Sequence, residues 1–384
     1  MRLPLAILLS TAGWAQSIMD PSAFPRLISR LEPRWDDQEL ACSVSPYGPG
    51  LNFSFRIQAG YMVRIPMDQF AGPRHAWFIL VRITPEGGGK PVYLASRTRL
   101  PVVPKTKAEV EIGGGYLLGE GAYQVRWAMV DDRGRVCRKD WRIDAKLSRG
   151  ERRAKVAMSP HTIAAFSLVG SPRERRDHDD TAPFNLTILM HAAPIFPRRT
   201  HFRVSDRMLL LSSLGALLER LPAKSVRLVV FNLDQQKEMY RKDDFEIALL
   251  DQVAQSMNDL ELSSVDVKVL EKPKGHIDLL ADLVNRELRG PKLPDAVVFL
   301  GPSTRFEDKL PNGAVEKPEL MPKFFYFQYR PLLRRVVSSG TDSITAAVGA
   351  LKGKTMIIYH PADFAKAIDQ LEKLAPPPQP ASKP

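Results

Sequence analysis

"LTILMHAAPIF", Leu186 to Phe196, decides the reading of the second half of this chain. Leu186 to Met190 is a short apolar run of the kind a fully buried strand shows, and Ala192, Ala193 and Pro194 then break it. The residue at the tip of the strand is His191. Beyond it the period keeps changing. "SDRMLLLSSLGALLERL" places Leu210, Leu214, Leu217, Leu218 and Leu221 on one helical stripe, with Ser205 as the expected N-cap. "SVRLVVFNLD" reads as a strand and "KEMYRK" as extended chain. "DDFEIALLDQVAQSMNDL" reads as a helix with Phe245, Leu249 and Val253 four apart, and "HIDLLADLVNRELRG" as another, ended by Gly290. Strands "DAVVFLG" and "KFFYFQY", helix "DSITAAVGALKG", strand "KTMIIYH" and helix "ADFAKAIDQLEKL" complete the series. Strands alternating with helices of this length predict a mostly parallel sheet covered on both faces, a doubly wound α/β domain of Rossmann type over 182–374.

Upstream the period is two. "HAWFILVRITPEGGGKPVYLASRTRL" is two β-rich runs about a glycine turn, and "GAYQVRWAMVDDRGRVCRKDWRI" repeats the pattern about Asp131 to Gly134. Val125, Trp127 and Met129 fall on one face of a half-buried strand. Short strands at this spacing predict an all-β sandwich over 38–147, preceded by a lead-in over 16–37 with a helical turn around "FPRLISRLE". A charged stretch, 148–181, reads as a linker, and 375–384 ("APPPQPASKP") as a proline-rich tail.

The 384 residues suffice for two domains, and 44% hydrophobic with 26% charged residues is ordinary for a globular chain. "MRLPLAILLSTAGWAQ" reads as a secretory signal over 1–15: Arg2, an apolar core from Leu3 to Leu9, and a small-x-small site at Gly13-Trp14-Ala15. Cleavage near Ala15 predicts an extracytoplasmic protein, periplasmic or secreted. No later stretch reaches the roughly 20 apolar residues of a spanning helix. Two cysteines, Cys42 and Cys137, suit an oxidising compartment, where a bridge between them would be worth up to roughly 4–5 kcal/mol. Two separate buried thiols remain the alternative. The net charge of +12 fits nucleic acid, membrane surface or anionic glycan, and export argues against nucleic acid.

Catalytic signatures fail on spacing. "GALKGKT" has three residues between its glycines where a phosphate loop needs four, and it runs from helix into strand. "GGGYLLGEG" lies in β sequence, and "DHDD" (177–180) reads as a hydrated acidic run. There is no G-x-S-x-G elbow and no H-E-x-x-H pair. No cofactor is expected.

"NLTILMHAAP", "KSVRLVVFNLD", "PDAVVFLGPSTR" and "KTMIIYHPADFAKAIDQL" together resemble the strands of a von Willebrand factor A-type domain. With the leader and the β region, the chain resembles secreted bacterial VWFA-related proteins. The resemblance implies a metal-ion-dependent adhesion site at the strand ends. This sequence departs from it: His191 stands where the first Asp would be, Ala193 for the first Ser, Gly301-Pro302 for the later Asp, and His276 near the expected Thr. A hard cation needs carboxylate and hydroxyl oxygens, so the site is expected to be degenerate and to hold no metal.

Ligands of open α/β sheets bind beyond the carboxyl ends of the strands. The loops expected there carry His191, Arg198, Arg199, His276, Arg305, Arg330 and Arg334. Arginines could meet a carboxylate of a protein partner directly, by paired hydrogen bonds. The expectation is therefore an exported, non-catalytic interaction protein with no membrane span. Two alternatives stay open: an exported hydrolase of an envelope polymer using His191 or His276, and a structural envelope protein binding anionic glycan through its basic linker.

Overall fold

The computed structural model describes residues 16–166, 184–330 apart from 198, 222, 259, 261, 263–266, 290–292 and 317, and 341–373. The chain forms two compact units, Met1–Ser167 and Leu168–Pro384.

The first unit is antiparallel. One sheet has the order β1 (Ser17–Met19), β5 (Val92–Arg99), β4 (Ala76–Pro85), β7 (Gly121–Asp131), β8 (Val136–Ala145). The other runs β2 (Ser43–Leu51), β3 (Ile57–Pro66), β6 (Glu109–Leu118), β9 (Ile163–Ala165). Alternate residues of both sheets share a single core: Ala59, Tyr61 and Val63 of β3 and Tyr116 and Leu118 of β6 meet Ile79 and Val81 of β4 and Val125, Trp127 and Met129 of β7. Period-2 sequence has one physical outcome here, a buried face and a wet face. The Cys42–Cys137 disulfide is present, joining residues 95 apart in sequence and tying the strand end before β2 to β8 of the other sheet.

The lead-in is part of this unit. Its first residues form β1 along β5, and the turn α1 (Pro25–Ile28) leads Leu27 and Leu31 onto the outer face of the first sheet, against Leu80, Ala128 and Val130. Glu32 then bridges Arg82 and Arg126 on neighbouring strands. The start of the charged stretch is also built in: Ala154 is buried, Ala157 N–H donates to the Phe55 carbonyl, and β9 pairs with β6.

The second unit holds one six-stranded sheet in the order β12 (Lys237–Lys242), β11 (Ser225–Asn232), β10 (Asn185–His191), β13 (Ala296–Pro302), β14 (Lys323–Tyr329), β15 (Lys354–Ile358). Its helices are α2 (Val204–Arg220), α3 (Leu250–Ser256), α4 (Val267–Glu271), α5 (Gly275–Arg289), α6 (Ser343–Ala350) and α7 (Pro361–Glu372). Every residue of β13 is buried, which is why it reads as an unbroken apolar run. Leu280, Leu283 and Val284 of α5 and Ile344 and Ala347 of α6 pack on Val229, Phe231, Val297, Phe299 and Tyr326.

The expected doubly wound, von Willebrand factor A-like domain needs correcting. The described chain is mostly β, with three sheets and 37% strand against 26% helix, and a clear Rossmann-type domain is not shown. The second sheet is mixed. β12 returns antiparallel along β11 through a four-residue turn, so a hairpin stands where the doubly wound pattern has a crossover helix. The helix expected over 243–260 shrinks to the seven residues of α3. Asp244 takes a left-handed φ of 48°, and Phe245 N–H is drawn to the Val226 carbonyl. Helical period in sequence overstates helical length because Phe245 serves the sheet. Ser205 is likewise not the cap of α2. Arg203 is, and the Asp206 carboxyl accepts its backbone N–H at 3.0 Å.

Candidate functional site

The site lies where strands β10, β11, β13 and β14 end and the chain turns into loops. The turns after β10, β11, β13 and β15 are each fastened by a bond at the start of a helix. Ile195 N–H, after β10, donates to Asp206 of α2 (3.3 Å). Gln236, after β11, donates to the Lys272 carbonyl ahead of α5 (2.9 Å). Thr304 N–H, after β13, donates to Asp342, the N-cap of α6 (3.1 Å). Tyr359 N–H, after β15, donates to Asp363 of α7 (3.3 Å). The amino ends of four helices thus lie at these turns, and three of them are capped by carboxylates, Asp206, Asp342 and Asp363.

His191 ends β10 and is 1% exposed. Its ring stacks on Phe231, 5.3 Å between centroids, and Nδ1 faces the Pro302 carbonyl at 3.4 Å. A carbonyl only accepts, so Nδ1 carries the proton, and Nε2 is left buried without a partner among the described residues. Burial holds the imidazole below its ordinary titration range, against the opposing pull of Asp234 and Asp342. Gly301 makes this packing possible. A Cβ there would stand 2.7 Å from the His191 carbonyl oxygen, and its φ is +157°.

Beside it lies a buried polar knot. Asp342 is 6% exposed and accepts from Thr304 N–H, Gln328 Nε2 (2.8 Å) and Thr345 N–H (2.7 Å). Tyr326 donates its hydroxyl proton to the Pro302 carbonyl at 2.7 Å, and burial raises its pKa well above the ordinary tyrosine value. Arg330 Nε donates to Gln328 Oε1 at 2.8 Å, so the knot positions this arginine at the rim.

The other expected residues fall into separate places. Arg199 lies over the Phe196 ring, 4.0 Å from its centroid. Arg305 is ion-paired with Asp234 at 2.5 Å and lies 5.2 Å from the Phe306 centroid. His276 opens α5, stacks on the Phe306 ring at 4.0 Å, and meets Asp308 at 2.9 Å. Arg198 and Arg334 lie outside the described residues. His276 and Arg305 are therefore joined through Phe306, and His191 is joined to the Pro302 corner.

Asp342, Gln328, Tyr326 and Asp234 are site residues that the sequence reading misses. Gln328 carries a visible signal, as the one amide in the apolar strand "KFFYFQY". Asp342-Ser343 before a helix also has the form of a cap. Among the described residues there is no group of three or more His, Cys, Asp or Glu side chains able to hold a metal ion.

No family model matches the chain. No curated protein matches it either. Solved structures similar to part of it include the putative ApaA protein from Bordetella pertussis, at 13% identity and TM-score 0.21, covering 29% of this chain and 99% of that one. A hypothetical protein from Pyrococcus horikoshii has 10% identity and TM-score 0.20, covering 29% and 92%. Superoxide reductase (neelaredoxin) from Archaeoglobus fulgidus has 11% identity and TM-score 0.20, covering 29% and 96%. None is VWFA-related. Scores this low carry no argument about fold or function.

Proposed function

We propose that this is an exported, non-catalytic interaction protein that meets an acidic group of a protein partner with the strand-end loops of the six-stranded sheet. One observation carries the reading: the carboxyl groups at that rim are already engaged within the protein, while arginines remain at its edge. Asp206, Asp342 and Asp363 each accept backbone N–H groups at a helix start, and Asp234 holds Arg305. Arg199 and Arg330 have no carboxylate partner among the described residues.

The hydrolase alternative is poorly served. His191 is buried and neutral, and His276 is 3% exposed beneath Phe306. Export accords with a disulfide and with the finding that, among the described residues, no helix is long and apolar enough to cross a membrane. Cleavage of the leader near Ala15 belongs to the same proposal.

Fluorescence anisotropy of the full chain with a glutamate-rich peptide, against its amidated counterpart, tests the reading. Binding should be specific to the acidic form and fall about tenfold or more in each of Arg199→Gln and Arg330→Gln, the loss of one charge-assisted contact apiece. Equal affinity for both peptides would sink it. Binding of an anionic polysaccharide that survives both substitutions would move the function to the basic stretch 148–181.

A further inference from the structure

We propose that the mature chain begins with a pyroglutamyl residue at position 16, sealed into the core of the first unit. The inference rests on the cleavage after Ala15 put forward above, and on the surroundings of Gln16. That residue is 4% exposed, and Ser17, the next one, already pairs with Ala95 in the sheet. Its side chain crosses to the other sheet, where Nε2 lies 2.6 Å from the hydroxyl of Tyr61. Tyr61 is itself 1% exposed and packs edge-on against Trp127 at 5.5 Å.

Two difficulties arise for an uncyclised Gln16 at a mature terminus. Its amide has two ends and, among the described residues, the core offers one partner: Nε2 meets Tyr61, and Oε1 is buried with none. Flipping the amide only exchanges which end is orphaned. Cleavage would also create an α-ammonium on a residue that is almost wholly buried, and an unpaired buried charge is costly.

Cyclisation removes the charge and the primary amide. The α-amine, with an ordinary pKa of about 7.7–8.0, is partly neutral at physiological pH. It attacks Cδ of its own side chain, the Nα–Cδ bond forms, the Cδ–Nε2 bond breaks, and ammonia leaves carrying the displaced proton. No oxidant or other reactant enters. The product is a neutral five-membered lactam with one carbonyl and one N–H. Its carbonyl supplies an acceptor of the kind the Tyr61 hydroxyl needs once Nε2 has left, and no primary amide is left to satisfy. The ring closes before the strand docks, because the bound side chain is held towards Tyr61.

The test uses the full chain exported through its own leader and purified from the extracytoplasmic fraction. Intact-mass measurement should give residues 16–384 lighter by one ammonia, with no free α-amine to stepwise amino-terminal sequencing. An aminopeptidase that removes pyroglutamyl residues should act on the denatured protein and spare the folded one. A chain starting at residue 16 with its full mass and a free amine would overturn the lactam and leave the cleavage site standing. A different first residue would overturn the cleavage site and the lactam together. Ready removal of the ring from the folded protein would overturn its burial.

Discussion

The two units solve the same packing problem with different chemistry. In the first, two antiparallel sheets cover each other with apolar and aromatic side chains, and a disulfide ties them together. In the second, a mixed sheet admits charge. Glu287 of α5 is completely buried, and its carboxyl accepts from Thr187 Oγ1 (3.0 Å), Arg227 Nη1 (2.8 Å) and Arg241 Nη1 (2.9 Å) on three neighbouring strands. Arg241 continues to Glu238, and Arg227 to Asp243. Burial alone would lower the pKa of both arginines, yet their bonds to these carboxylates raise it. The difference is one of tolerance. A core of apolar contacts yields gradually to substitution, whereas a buried carboxylate with three donors depends on every one of them.

The largest effect should follow from breaking the Glu287 network. Glu287→Ala removes the carboxylate that Arg227 and Arg241 share and leaves each with one partner, Asp243 or Glu238, and a cost of about 3 kcal/mol or more is expected. In calorimetry of the full chain the loss should fall on one unfolding transition, that of the second unit. Replacing both cysteines by serine should cost about 2–5 kcal/mol and fall on the other transition. If both variants moved a single common transition equally, the units would not be separate in energy and the comparison would fail.

These two features differ in how legible they are in the sequence. Cys42 and Cys137 are rare residues in strand-like sequence, and a bridge between them is an open expectation that the structure bears out. Glu287 in "NRELRG" looks like any charged residue near a helix end, because its partners are 46 to 100 positions away. The β-rich character of the first region is readable from period-2 alternation, as at Val125, Trp127 and Met129, all of them buried. The fold of the second region is over-read. Apolar spacing at Phe245, Leu249 and Val253 suits a helix, but Phe245 is bound by its backbone to β11's Val226, a contact that local sequence does not encode. At the site, the strand tip at His191 is visible, whereas Asp342 and Gln328 meet only where the start of α6 packs on β14.

Asp342 offers a smaller perturbation of the second unit. Asp342→Ala removes the α6 cap, takes the acceptor from Thr304 N–H and Thr345 N–H and leaves Gln328 Nε2 only Thr345 Oγ1, costing about 1–3 kcal/mol in chemical denaturation. Asp342→Asn keeps an acceptor for Thr345 N–H and should recover part of that loss. Its Nδ2 replaces the oxygen that accepts from Gln328, so the positioning of Arg330, and with it peptide binding, should weaken in both variants. A full loss in both variants would assign the stabilisation to the charge of the carboxyl group and not to the cap.

The smallest effect separates the units by pH. His191 titrates below its ordinary value of 6.5 in the folded protein because it is buried, so between that value and its folded pKa the unfolded chain binds more protons. Stability therefore rises with pH across this window. The contribution is fully present above 6.5 and is lost as pH falls towards the folded pKa, with a slope of at most about 1.4 kcal/mol per pH unit for one proton. Denaturation midpoints at pH 7.5 and 5.0 should show the second unit weakening on acidification. His191→Phe keeps the ring stacked on Phe231 and has nothing to protonate, so its pH dependence should be flatter than that of the wild type. An unchanged slope in His191→Phe would mean that the acid sensitivity comes from other groups. Asp234 and Asp342 face His191 most closely in charge and are the next to replace.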